Sequence, residues 1–308
     1  MERQPPQNAN VHPTLQDLVR MRHQTRGFSL LPKQPVGSLL SGQHASRLRG
    51  RGLVFEELRE YHPGDDIRTM DWRATARLRK AHVRTYSEER ERPVLLVVDQ
   101  RQSMFFGSAR TTKAGAAAEL AALTAWRAID GGDRVGALLF GDERINEVRP
   151  RRSRANVHRI CHELALANAA LSADGPRANP GMLNEALRRA CRAAAHDHLV
   201  VLVTDYEGDD ETTNRWASRL SAHNDVLAAL VYDPLGVAFP VGAEGDLTDG
   251  NDSLRVCVDP AFARRSTAEF HSRVEQIHQR LSSVKIPILP ICTHDSVVEQ
   301  VHAALGGR

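Results

Sequence analysis

Two aspartates and a serine are the residues of this sequence best placed to do chemistry. Asp99 directly follows the apolar run Val94–Val98, Asp205 follows Leu199–Thr204, and Ser103 stands four residues beyond Asp99. Continuous apolar runs of this length fit strands buried on both faces of a parallel sheet. Ligands of open α/β sheets bind beyond the carboxyl ends of the strands, so both carboxylates fall on the expected ligand edge. Carboxylate and hydroxyl oxygens gathered there suit a hard cation such as Mg²⁺. The plainer reading is that each aspartate caps a turn or a helix start. Their equivalent places at two strand ends favour a site.

Other chemistries leave little trace. The stretch from Gly107 to Lys113 lacks the second glycine of a phosphate loop, and neither G-x-S-x-G nor H-E-x-x-H occurs. An aspartate-nucleophile phosphotransferase would want a carboxylate two residues after Asp99, where Arg101 stands. His196 and His198 flank Asp197 and read as a polar lead into the next strand. Cys161, Cys191, Cys257 and Cys292 form no C-x-x-C pair. Each lies in an apolar or helical pattern and reads as a small hydrophobe rather than a zinc ligand or half-cystine.

Two basic runs invite a nucleic-acid reading, Arg47–Arg51 and Arg149–Arg154. The first lies among Glu56, Glu57, Glu60, Asp65 and Asp66 and reads as ion-paired. The second reads as charge protecting an exposed edge strand. No aromatics interleave to stack bases, and a formal charge of +3 is small for 308 residues, so nucleic acid ranks last among the partners.

The elements that position these residues follow from periodicity. Residues 1–12 read as a loose tail, followed by a short helix carrying Leu15, Leu18, Val19 and Arg22, which Pro32, Pro35 and Gly37 separate from what comes next. Residues 46–92 are dense in Arg, Glu and Asp, with short strands expected at Leu53–Phe55 and His82–Tyr86 and too few apolar residues for a core of their own. From Pro93 strands alternate with helices: strands at 94–98, 135–140, 199–203, 226–232 and 286–291. Helices are expected at 112–129 (Lys113 and Glu119 facing solvent), from Ser153 as N-cap, and through Leu183–Ala194. Two more carry Phe270 to Leu281 and Val297 to Leu305, with a Gly/Asp-rich loop at 242–253. Such alternation predicts right-handed crossovers and a mostly parallel sheet covered on both faces. No apolar run approaches the ~20 residues of a membrane span, and Met1–Asn10 hold no apolar core of a secretion signal. The expectation is a cytoplasmic protein.

One stretch, Ser46–Gln100, is distinctive. Its elements are Gly50-Arg51-Gly52, Phe55-Glu56, Leu58-Arg59-Glu60-Tyr61, Pro63-Gly64-Asp65-Asp66, Arg68, Asp71-Trp72, Ala74, Ala76-Arg77 and Glu88-Glu89-Arg90. It resembles the signature of the bacterial domain-of-unknown-function 58 family, and the rest of the chain resembles a von Willebrand factor A-like domain. The resemblance implies a Rossmann-like doubly wound sheet, no catalytic activity and company with MoxR-type AAA+ ATPases. It also implies the metal-ion-dependent adhesion site, D-x-S-x-S with a later Thr and Asp. Asp99 and Ser103 match its first and last positions and Asp205 the later aspartate. Arg101 replaces the middle serine, and the threonine position falls on Gly181.

The sequence therefore predicts residues 1–36 as tail and helix, 37–92 as a signature module and 93–308 as a von Willebrand A-like α/β domain. The function expected is protein binding and assembly, without catalysis, in company with a MoxR-type ATPase and a client. A Mg²⁺-dependent hydrolase at Asp99/Asp205 is the alternative and nucleic-acid binding the third. No cofactor is expected, and Mg²⁺ is the one candidate, at a degenerate site where Arg101 takes the place of the metal and pairs with Asp205 or Asp99. Partner docking is expected at that sheet edge or on the signature residues Arg51, Glu56, Arg59, Tyr61, Asp65, Asp66, Arg68, Asp71, Trp72 and Arg77. The bland reading of that signature is that its charged pairs merely tie an irregular segment onto the sheet.

Overall fold

The structure, a computed structural model, describes residues 11–29, 53–63, 65–88, 92–108, 110–175, 177–237, 239–248 and 253–306. The chain divides into two compact units, Met1–Ser38 with Arg92–Arg308, and Leu39–Glu91.

In the larger unit a six-stranded sheet is built from β3 (Val94–Asp99), β4 (Val135–Phe140), β5 (Ile145–Arg151), β6 (Leu199–Thr204), β7 (Asp225–Tyr232) and β10 (Ile288–Cys292). Their spatial order is β10-β7-β6-β3-β4-β5. All neighbours are parallel except β5, which runs antiparallel to β4 at the edge. Strand order reverses between β3 and β6, which makes their carboxyl ends the topological switch point where ligands of doubly wound sheets bind. The expected doubly wound, mostly parallel α/β fold is the one the chain adopts.

Period-two alternation distributes each strand between two cores. Val94, Leu96 and Val98 of β3 and Leu199, Val201 and Val203 of β6 face one layer. That layer holds α1 (Leu15–Arg20), α3 (Lys113–Asp130), α4 (Arg154–Ala169) and α9 (Val297–Leu305). Leu95 and Val97 with Val200 and Leu202 face the other, formed by α5 (Gly181–Ala193), α6 (Glu211–Ser221) and α8 (Pro260–Ser283). Helix starts are capped as their sequences dictate: Thr112, Ser153, Asp210 and Asp259 each accept a hydrogen bond from a first-turn amide.

Several elements differ from expectation. Helix α6 fills a stretch with no predicted element. The loop expected at 242–253 contributes to a hairpin of β8 (Glu244–Thr248) and β9 (Ser253–Cys257), preceded by a turn of helix α7 (Pro234–Val237). Cys257 is exposed on β9, unlike buried Cys161 and Cys292, so it is no core hydrophobe. Lys113 and Glu119 are not solvent-facing. Lys113 donates to Asp205, and Glu119 accepts a two-pronged pair from Arg110. The edge position of β5, with Arg149 and Arg151 exposed and Pro150 in it, agrees with the edge-strand reading of that basic run.

The N-terminal segment packs into the larger unit. Leu18, Met21 and Phe28 are buried in its first core, and the Trp126 indole donates to the Leu18 carbonyl. Among the described residues, no helix is long and apolar enough to cross a membrane.

The smaller unit is a hairpin of β1 (Leu53–Glu60) and β2 (His82–Glu88), both longer than expected, with an unpredicted helix α2 (Trp72–Leu78) between them. Among its described side chains only Ala74 and Val83 are buried and apolar.

Candidate functional site

The carboxyl ends of β3 and β6 bring Asp99 and Asp205 together, and Arg101 lies between them. The backbone leaving β3 turns so that the Arg101 amide donates to Asp99 Oδ1 at 3.0 Å. The same turn sends the side chain back across the strand end. Its Nε donates to Asp99 Oδ1 at 3.0 Å and its Nη2 to Asp99 Oδ2 at 2.7 Å, a fork gripping one carboxylate. Nη2 also lies 3.6 Å from Asp205 Oδ1. Nη1 donates to the backbone carbonyls of Glu207 at 3.0 Å and Asn179 at 3.4 Å. The guanidinium stands 5.4 Å from the centre of the Phe140 ring. Arg101 and Asp99 are both fully buried.

The remaining carboxylate oxygens are also occupied. The Thr204 hydroxyl donates to Asp99 Oδ2 at 2.6 Å. Lys113, in the first turn of α3, donates to Asp205 Oδ2 at 2.7 Å, and the Glu207 amide donates to Asp205 Oδ1 at 2.9 Å. Asp142, just after β4, accepts from the amides of Gln102 and Asn179, pinning two of the loops that enclose Arg101. Burial pushes the Asp205 carboxyl upward, but Lys113 and then Arg101 outweigh it and hold it at about 2. Burial is also the largest influence on Asp99 and drives its carboxyl up against the pull of Arg101.

These residues do not fit a divalent metal. Every oxygen of Asp99 and Asp205 already accepts from, or lies against, a cationic or neutral donor, and the guanidinium fills the space between them. A divalent ion about 5 Å from it would be repelled by about 6–7 kcal/mol at an effective dielectric of ~20. The adhesion-type ligand set is short elsewhere too. Gly181 at the threonine position begins α5 and carries no oxygen side chain. Ser103 Oγ is buried with no hydrogen-bond partner and does not join the carboxylates. Among the described residues no group of three or more His, Cys, Asp or Glu is arranged to hold a metal.

Beside this pair opens a cleft of about 180 Å³, walled by Lys113, Asp205, Tyr232, Phe270, Arg273 and Ile277, with Phe106 at its lining and 40% exposed. Asp205 is the residue common to the cleft and the buried pair.

The signature residues form a separate group on the smaller unit. Arg59 pairs with Asp65 at 2.7 Å, and Asp65 also accepts from the His62 amide. Asp66 accepts from the Arg68 amide, and Asp71 caps α2 through the amides of Arg73 and Ala74. Tyr61 is half-buried, Arg68 and Arg77 are exposed, and Trp72 is 67% exposed, as Ile67 and Leu78 of the same unit also are exposed. The backbone of Glu56 lies in β1, while Arg51 and the basic run Arg47–Arg51 lie outside the described residues.

Asp99 and Asp205 are legible in the sequence from their strand ends, and Arg101 from its place between Asp99 and Ser103. Thr204, Lys113, Asp142 and Asn179 escape that reading. Only Thr204 carried a local signal, as the hydroxyl preceding Asp205 at the end of an apolar run.

Fold and site together define a doubly wound α/β protein whose switch-point carboxylates are closed by an internal guanidinium. The chain belongs to the family described as protein of unknown function DUF58, whose model matches residues 57–279. Uncharacterized proteins of Mycobacterium tuberculosis and Mycobacterium bovis are 32% identical to it over 249 residues, covering 79% of this chain and 77% of theirs. Among solved structures it is similar to the VWA domain of SpRpn10, with a TM-score of 0.40 and 13% identity over 69% of this chain and 94% of that one. Proximal thread matrix protein 1 from mussel byssus matches at a TM-score of 0.30 and 14% identity over 46% of this chain and 38% of that one.

Proposed function

We propose that this chain is a non-enzymatic protein-binding module that docks a partner at the carboxyl edge of its sheet without a metal bridge. The observation that carries this reading is the buried Arg101 guanidinium held between Asp99 and Asp205. It supplies permanently the positive charge that an adhesion-type site would take from a cation. The neighbouring cleft, at about 180 Å³, falls below the 300–1,000 Å³ of ordinary small-molecule sites and suits a single side chain of a protein partner. Phe106, exposed at that cleft, is the kind of aromatic anchor that dominates interfaces. Family resemblance supports a MoxR-type AAA+ ATPase as the partner, working with a client in the cytoplasm.

Asp205 is itself buried in the charge network, so its removal would disturb the fold as well as any interface. Phe106→Asp is the cleaner probe. Binding of the full chain to the MoxR-type ATPase of the same organism, read by calorimetry, should persist in EDTA and weaken by about tenfold or more in the variant. Binding abolished by EDTA, or unchanged by Phe106→Asp, would overturn the reading.

A further inference from the structure

The carboxyl end of α3 borders a second cleft, of about 790 Å³, lined by Arg22, His23, Thr25, Arg26, Arg127 and Asp130. It lies about 21 Å along α3 from Lys113, at 1.5 Å per residue, and so away from the Arg101 site. Three guanidiniums line it against one carboxylate. Asp130 accepts from the Thr25 hydroxyl at 2.8 Å. Neither Arg22, Arg26 nor Arg127 has an acidic partner among the described residues. The sequence that follows, residues 27–55, contains no Asp or Glu.

The cleft is built rather than frayed. Arg127 Nε donates to the Phe28 carbonyl at 2.8 Å, which fixes the side chain and leaves its two Nη groups without an acceptor among the described residues. Arg22 is held 5.8 Å from the Trp126 ring centre. His302 Nε2 meets the Gln24 carbonyl at 3.2 Å, and the Ser29 amide donates to the Leu305 carbonyl, so both ends of the segment are tied down.

We infer that this cleft binds an acidic segment of a partner protein, a second interface that does not depend on the Arg101 reading. Planar guanidiniums match carboxylates with paired hydrogen bonds. A compact phosphate is the poorer match, because the adjoining helix end is a carboxyl terminus whose dipole opposes concentrated negative charge. Carboxylates spaced along a peptide can each meet one arginine and stand clear of that helix end.

The test is fluorescence anisotropy of the full chain with a labelled octaglutamate peptide, beside inorganic polyphosphate, an oligothymidylate and a neutral Gly/Ser octapeptide. The acidic peptide should bind, lose affinity as salt rises, and lose about tenfold in Arg26→Glu, a change at an exposed side chain. Arg192→Glu, on exposed α5 surface, should leave binding unchanged. The inference is overturned if octaglutamate does not bind, if the two variants weaken it equally, or if polyphosphate or oligothymidylate binds more tightly than the peptide.

Discussion

A fully buried guanidinium is tolerated only while its charge and all three nitrogens are met, and Arg101 meets that condition through Asp99, Asp205 and two carbonyls. Removing one partner of such a pair leaves the other charges buried and uncompensated, which costs about 3–5 kcal/mol. Arg101→Ala should therefore lower stability to urea by that amount. Arg101→Ser should be similarly weakened but regain part of the loss in millimolar Mn²⁺, while the unmodified protein shows no thermal shift with Mg²⁺ or Mn²⁺. Calorimetry detecting tight Mg²⁺ binding to the unmodified protein would sink this account. Asp205 gives a pH test. Its folded carboxyl, at about 2, lies below the ~3.9 of a free aspartate, so its contribution is present above pH ~4 and lost as pH falls towards 2. Asp99, driven upward by burial, works in the opposite sense, so the two must be separated. Lys113→Met removes the cation that lowers Asp205 most and should move the acid loss to higher pH. Identical urea midpoints for both proteins across pH 2–5 would refute the assignment.

Strands and loops decide which of these residues could be seen in advance. Val94–Asp99 and Leu199–Thr204 announce themselves as apolar runs closed by polar residues, so Asp99 and Asp205 were legible from sequence, and Arg101 from its place between Asp99 and Ser103. Lys113, Asp142 and Asn179 were not, because they reach the site only when separate loops converge at the switch point. Helix α6 was missed although Asp210 and Thr213 form a capping box at its start, since its apolar residues are few. Helix α2 and the β8–β9 hairpin arise in polar sequence where periodicity is weak. The loop after β6 carries its own constraint. Gly208 has φ +80°, and a Cβ there would lie 2.4 Å from Pro180 Cβ and 2.8 Å from Pro180 Cα. Gly208→Ala should displace the neighbouring Glu207 carbonyl from Arg101 and cost about 1–3 kcal/mol. A thermal midpoint equal to that of the unmodified protein would show that the loop gives way without strain.

At the scale of the molecule, the charged signature module is one candidate for what the α/β domain needs from the residues before Pro93. The buried residues point elsewhere. Leu39–Glu91 contributes only Ala74 and Val83 as buried apolar side chains among those described, whereas Leu18, Met21 and Phe28 sit in the core of the larger unit. Burial of such side chains stabilises by about 1.5–3 kcal/mol each, so the three together supply about 5–9 kcal/mol. That is comparable with the 5–15 kcal/mol separating a typical folded domain from its unfolded chain, as an order of magnitude. A truncation beginning at Pro93 should therefore be largely unfolded or insoluble, and it removes both segments at once. The two causes separate in a variant that keeps residues 1–29 and replaces 30–91 with a long flexible Gly/Ser linker, whose closure cost grows only slowly with length. That variant should keep most of the cooperative unfolding of the α/β unit, while Leu18→Ala in the full chain should cost about 2–5 kcal/mol. If the linker variant instead unfolds like the Pro93 truncation, the signature module is what the larger unit needs, and residues 13–28 are its passengers.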